Sequence, residues 1–340
     1  MNLATGLKEA RLNIPMEGEE DAALEAIKGL PTEQSVVVVE QPEQEYYPEL
    51  EEPALRDQVP IKAPSYDMAG KVLPPIRNPE SADEMTTFQN SLLAVQSRSE
   101  GFDKALDDLS ELAHDIYYGV EIVKHHGVVE ELTCFTLGVG TGKNPQENDR
   151  DHKAALILGS ALQNNPTALK ELISSQDHIV HPTCLTDSGN GIDFVDTLRS
   201  RIDQESNPST LKSKVVAISS LLRQPSFRQD FLEKDGMNIL LAYFLKEGEQ
   251  FHIVRKKIGQ LVMDNFLDED LGAAVGEWPQ GDITPANVCE SNDRRLEDGC
   301  WERHLLKYVT SSPKQIWAQE LLAALNKQRG KPVAADHKEL

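Results

Sequence analysis

A chain of 340 residues with 39% apolar and 6% aromatic content carries 56 acidic against 34 basic side chains, a formal net charge of −22. That length and apolar share suffice to bury a core, and sparse aromatics suit helix packing through Leu, Ala, Ile and Val better than a β-sandwich. The acidic balance excludes nucleic acid, whose phosphates need a basic face, and favours protein partners; no apolar run is long enough to cross a membrane.

Residues 1–86 read as an acidic, proline-rich and mostly disordered region. Its first sixty residues hold fourteen acids against four bases, a net −10, and prolines recur from Pro42 to Pro79. Such a segment cannot bury enough apolar surface to offset the entropy of ordering. Asp21 to Leu30 could form a short helix and Val36 to Val39 an extended segment, neither stable alone. Met1 to Pro15 lacks the basic start and apolar run of a secretory signal.

Residues 87–326 read as a helical repeat domain. Phe88, Leu92, Leu93 and Val95 begin an amphipathic stretch expected to cap the first repeat. A divergent first copy runs through Ala105, Leu106, Leu109, Leu112 and Ala113, then Ile116, Val120, Ile122 and Val123. The segment Leu158 to Asn164 falls on Ile218 to Gln224 when moved 60 residues along. A further copy begins 43 residues later, with Lys257, Leu261 and Val262 in the places of Lys214, Ile218 and Ser219; that step lies within the armadillo and HEAT range. The loop around Thr183 to Gly191 accounts for the longer first step, and Asn207-Pro208-Ser209-Thr210 reads as the turn into the third unit. Trp278 to Asp298 reads as a long polar loop before a closing helix pair. The fold class is therefore all-α, an armadillo-like α-solenoid of about four repeats with helical caps. Residues 327–340 read as a flexible tail.

No catalytic apparatus emerges, and the reading is of a protein that is not an enzyme and holds no cofactor or metal. Gly138 to Asn144 has neither the glycine nor the hydroxyl residue of a Walker loop, and no dinucleotide fingerprint. His178, His181 and Cys184 lack a fourth ligand and a partner motif. His125-His126 before Gly127 suits a helix C-terminus, where a cation complements the dipole. The four cysteines, Cys134, Cys184, Cys289 and Cys300, form no CxxC pair and read as isolated thiols; in an oxidising compartment Cys289 with Cys300 could close a short loop. Asn165-Pro166-Thr167 and Asn207-Pro208-Ser209 are barred by proline from acting as glycosylation acceptors.

What remains is a surface. Solenoids bind along the face lined by equivalent helix ends. On that logic His114 and Asp115, Gln163, Asn164 and Asn165, Arg223 and Gln224, and Asp264 and Asn265 form a row of polar positions on a concave face. Ordinary capping or solvent exposure is the alternative at each. The Trp-Asn ladder of a peptide-gripping armadillo is missing, since Trp278, Trp301 and Trp317 are followed at that spacing by Asp282, Leu305 and Leu321.

The repeats Lys153 to Pro166 and Lys214 to Arg223, followed by Phe231-Leu232-Glu233-Lys234-Asp235-Gly236, resemble the core repeats of the HspBP/Fes/Sil nucleotide exchange factors. Met1 to Ala10, Leu112 to Val120 and the closing His337-Lys338-Glu339-Leu340 are similar to the fungal Sil branch. The resemblance implies a co-chaperone that clasps one lobe of the ATPase domain of BiP, the DnaK-type chaperone of the endoplasmic reticulum. It would hold that domain open so that ADP leaves, in support of folding and translocation, with the row of helix-end residues as the chaperone-binding face. A monomer is expected. His337 to Leu340 matches the KDEL class of retrieval signal read by a receptor, which places the chain in the lumen and implies that a secretory signal preceded this sequence. No cysteine precedes Cys134, so the N-terminal redox pair of some members is missing here. The competing class is an armadillo adaptor that binds a protein or peptide without affecting a nucleotide.

Overall fold

A computed structural model describes residues 72–75, 79–140, 149–184 and 191–330, all within the unit Ala63–Leu340. The acidic segment up to residue 71, most of the glycine-rich loop after Gly140 and the motif at His337 to Leu340 lie outside the described residues.

Helices begin where the sequence supplies caps. Asp115 opens α3 (Ile116–Lys124; α1 and α2 are given below), its carboxylate accepting from the Tyr117 and Tyr118 amides at 2.7 and 3.3 Å. Asn165 caps α6 (Pro166–Glu171) and Asn207 caps α9 (Pro208–Leu221); in both, proline takes the first helical position, whose amide would have no partner anyway. The two Asn-Pro pairs that cannot be glycosylated are thus helix starts.

Four long helices stack in chain order: α2 (Phe102–Leu112), α5 (Arg150–Leu162), α9 and α12 (His252–Val262), each packed on the one before. Other helices, most of them shorter, fill the intervals. They are α3 and α4 (His126–Thr136); α6, α7 (Gln176–Val180) and α8 (Phe194–Ser200); and α10 (Pro225–Glu233) and α11 (Gly236–Phe244). At one end α1 (Pro79–Ser97) covers α2, as the cap expected from Phe88 onward, although it begins earlier, at Pro79. At the other, α13 (Ala286–Cys289), α14 (Trp301–Ser311) and α15 (Ile316–Gln328) close the stack, with α15 against α12. Among the described residues there is no strand, and the all-α solenoid is the observed architecture.

The register differs from the one read in the sequence. Lys214 does not correspond to Lys257. Its ammonium is fully buried, paired with the Glu205 carboxylate and 3.4 Å from Asp151, whereas Lys257 is half-exposed. The cause is visible in α9, where Leu211, Val215, Ala217, Ile218 and Leu221 are all buried, as is Leu222 at its C-cap. A helix apolar on nearly every side does not announce its phase.

Further differences concern the ends of elements. His126 starts α4 rather than ending a helix, and Gly127 lies inside α4; only His125 caps α3. The described residues just past Lys327 are anchored: Arg329, its side chain 1% exposed, pairs with Glu302 and Asp298 and donates to the carbonyls of Gln280 and Gly281 at 2.7 and 2.9 Å. That clamp ties the end of α15 to the loop after Trp278. Trp278 and Trp301 are core residues, their rings edge to face at 5.5 Å.

All four cysteines are paired, which overturns the reading of isolated thiols. Cys289 bonds Cys300 across 11 residues, and Cys134 on α4 bonds Cys184 beyond α7 across 50. The second crosslink is reinforced by Glu130, which accepts from the Thr183 amide at 2.8 Å and meets His178 Nδ1 at 3.3 Å. It also removes Cys184 from any metal set. On loop-closure entropy the 50-residue crosslink should contribute about 4 kcal/mol and the 11-residue one about 3. Replacing Cys134 and Cys184 by serine should therefore lower the urea-unfolding free energy more than replacing Cys289 and Cys300; the reverse order would show that local strain or packing outweighs chain entropy.

Candidate functional site

The polar row read from the sequence lies at the ends of the four stacked helices, and the structure divides it into two sets. The first set faces inward. Asn165 and Asn265 are 2% exposed and Gln224 is 8% exposed. Each reaches back with its amide to the preceding repeat. Asn165 Nδ2 donates to the Ile116 carbonyl at 3.0 Å, Gln224 Nε2 to the Leu169 carbonyl at 3.2 Å, and Asn265 Nδ2 to Ser219 Oγ at 3.2 Å. Asn165 and Asn265 add the same second bond, to the carbonyl four residues earlier: Ala161 at 3.1 Å and Leu261 at 3.0 Å. Asn165 Oδ1 also accepts from the Ala168 amide at 3.2 Å. These three amides mark the true equivalent positions and tie successive repeats together.

Close helix approach accompanies the ties. A Cβ at Gly119 would lie 2.8 Å from the Ala161 carbonyl oxygen and 2.9 Å from Asn165 Nδ2, and one at Gly159 would lie 3.1 Å from a Val216 methyl. Bulkier residues would force α3 from α5, and α5 from α9.

The second set faces outward. Gln163, Asn164, Arg223 and Asp264 line one open groove of about 560 Å³, together with Val216, Ser219, Lys257 and Gln260. The lining falls on one face of each helix: Val216, Ser219 and Arg223 along α9 and its end, Lys257, Gln260 and Asp264 along α12 and its end. The groove thus crosses three consecutive repeats. Arg223 is held in place by a 2.7 Å bond from Nη1 to the Leu271 carbonyl. Burial raises the Asp264 pKa, against the pull of the Arg223 and Lys257 cations. Lys257 is lowered, first by burial and then by repulsion from Lys212 and Lys256. Neither Lys257 nor Gln260 is in the row of surface residues read from the sequence; Gln260 stands four residues and Lys257 seven residues before Asp264, one and two helical turns, and that spacing is the available signal.

His114 and Asp115 sit at the far end of the same row, both exposed, outside this groove. Asp115 is occupied as the cap of α3.

Comparison with known proteins adds the following. The chain matches the family profile of nucleotide exchange factor SIL1 over residues 80–284, more than half its length. It is similar to the nucleotide exchange factor SIL1 of Debaryomyces hansenii, 29% identical over 164 residues, covering 46% of this chain and 34% of that protein. Against the protein of the same name from Candida albicans it is 28% identical over 157 residues, covering 45% and 33%. The matched region spans about a third of the length of these relatives.

The inward set predicts a stability difference between neighbours in sequence. Asn165→Ala removes the bond to the Ile116 carbonyl and leaves the buried Ala161 carbonyl and Ala168 amide without this partner, and should cost about 1–3 kcal/mol. Gln163→Ala, exposed, should stay within about 0.5 kcal/mol. Urea unfolding of the two variants measures this; equal stabilities would remove the amides from the account of how repeats are held.

Proposed function

The chain belongs to the nucleotide exchange factor SIL1 family, and from that premise we propose that it is the nucleotide exchange factor of a lumenal DnaK-type chaperone, BiP. The reading assigns it no covalent chemistry. It would bind the chaperone's ATPase domain, favour the open form of the nucleotide cleft and so release ADP.

The observation that carries the reading is the open groove across three rigidly tied repeats. A surface can shift a two-state partner only by its difference in affinity for the two states. A stack braced by buried amides, close glycine contacts and a 50-residue crosslink loses little of that difference to its own deformation. A flexible surface would follow the chaperone lobe as it closed and would shift nothing. The outward residues Gln163, Asn164, Arg223 and Asp264 are proposed as direct contacts, with His114 and Asp115 extending the face. Asn165, Gln224 and Asn265 act by holding the face in shape.

The endoplasmic reticulum lumen is the proposed location. Two disulfides suit an oxidising compartment, and His337, Lys338, Glu339 and Leu340 are proposed as a retrieval motif read by its receptor. Support for folding and translocation follows from the chaperone's own turnover.

Exchange implies reciprocity. If the bound chain weakens ADP by a coupling of about 1–3 kcal/mol, ADP weakens the chain about 5–150-fold in return. Stopped-flow release of a fluorescent ADP from BiP should accelerate with increasing concentration of this protein, and ADP or ATP should loosen the complex. Binding that leaves both ADP release and its own nucleotide dependence unchanged would make the chain an armadillo adaptor; no binding to BiP would end both readings.

A further inference from the structure

The mouth of the groove carries a charge arrangement that its walls compensate only in part, through Asp264. Lys212 extends the Val216, Ser219, Arg223 stripe of α9 by one further turn. Across from it, on the packed α12, stand Lys256 and Lys257. Lys212 and Lys256 are exposed and Lys257 is half-buried in the groove wall. The three ammonium groups are near enough for Lys212 and Lys256 to disfavour the charged form of Lys257.

In so acidic a chain, lysines have carboxylates to hand, and several use them. Lys104, Lys124 and Lys153 each hold one, and Lys214 and Lys234 each hold two. Lys212, Lys256 and Lys257 make no ion pair or hydrogen bond with any described residue. The groove itself offers a single carboxylate, Asp264, against Arg223 and Lys257. The rest of its lining is amide, hydroxyl and aliphatic, a surface that meets protein rather than a stripped polyanion.

Three lysines that share with Arg223 the one carboxylate of the groove, Asp264, carry an excess of positive charge that raises the energy of the free protein. An incoming carboxylate relieves that repulsion, most of all beside Lys257, where water is partly excluded. We propose that the groove and its lysine rim are an electrostatic docking site for an Asp- or Glu-bearing helix or loop of the chaperone's ATPase domain. This rests on the exchange-factor reading above and names the chemistry by which that partner is recognised. Rim lysines of this kind set the rate of encounter and its salt dependence, and a half-buried one also sets the lifetime of the complex.

The test compares two double variants of equal charge change on the full chain. Lys212→Glu/Lys256→Glu alters the rim; Lys314→Glu/Lys327→Glu alters exposed positions in the turn before α15 and in its last turn, remote in sequence from the groove. BiP binding is followed by biolayer interferometry at 50 and 200 mM salt, with melting temperatures confirming the fold. The rim variant should lose about tenfold in association rate at low salt and show a flattened salt dependence, while Lys212→Arg/Lys256→Arg keeps both. Equal losses in the two Glu variants would assign the effect to net charge and overturn the proposal, as would unaltered association in the rim variant. Repeating the wild-type measurement with inorganic phosphate at constant ionic strength guards against a phosphate site: specific competition would replace the carboxylate ligand and overturn the assignment. If wild-type protein fails to bind BiP at all, the exchange-factor reading itself falls, an outcome separate from any difference among variants.

Discussion

A side-chain amide turned back onto the preceding repeat is the interaction on which this architecture depends. In a solenoid each unit touches only its neighbours, so stiffness is set by the weakest joint rather than by a shared core. Asn165, Gln224 and Asn265 sit at three such joints, where a helix has just ended and backbone carbonyls lack partners. At Asn165 and Asn265 one buried amide serves both its own helix end and the neighbouring repeat, whereas Gln224 reaches the neighbour alone. Leaving such groups unpaired would cost more than the bonds contribute, which makes the joint intolerant of sliding. Gly119 and Gly159 bring the backbones within the reach that these short side chains require.

The joints also set where the outward-facing groove lies. The residue that pins a helix end inward is immediately preceded by one that points outward: Asn164 before Asn165, Arg223 before Gln224, Asp264 before Asn265. Structural and surface residues are thus coupled at adjacent positions, and the groove inherits its spacing from the buried amides behind it. The differential binding proposed for this chain would need that inheritance, because only a surface with fixed spacing can discriminate an open lobe from a closed one.

The ends of the stack show how an open-ended repeat array is finished. α1 covers the first long helix, and the last is closed by α15 with Arg329 buried among Glu302, Asp298 and the carbonyls of Gln280 and Gly281. Removing one partner from so buried a set leaves uncompensated charge, so the clamp holds as a unit. The Cys289–Cys300 bond fixes the same region covalently.

The sequence by itself determined the class of fold, the four long helices, the capping stretch from Phe88 and the row of polar helix ends, because each is written in local spacing of apolar and polar residues. It determined too that Asn207-Pro208 opens a helix, since a cap and a proline act within one turn. Only the tertiary structure decided which members of the row point in and which point out, since adjacent residues on a helix end differ by about 100° and the apolar pattern of an all-round buried helix such as α9 leaves that angle undetermined. It alone joined Cys134 to Cys184 and brought Lys212 beside Lys257, pairings made by chain packing between residues far apart in sequence, where no local rule operates.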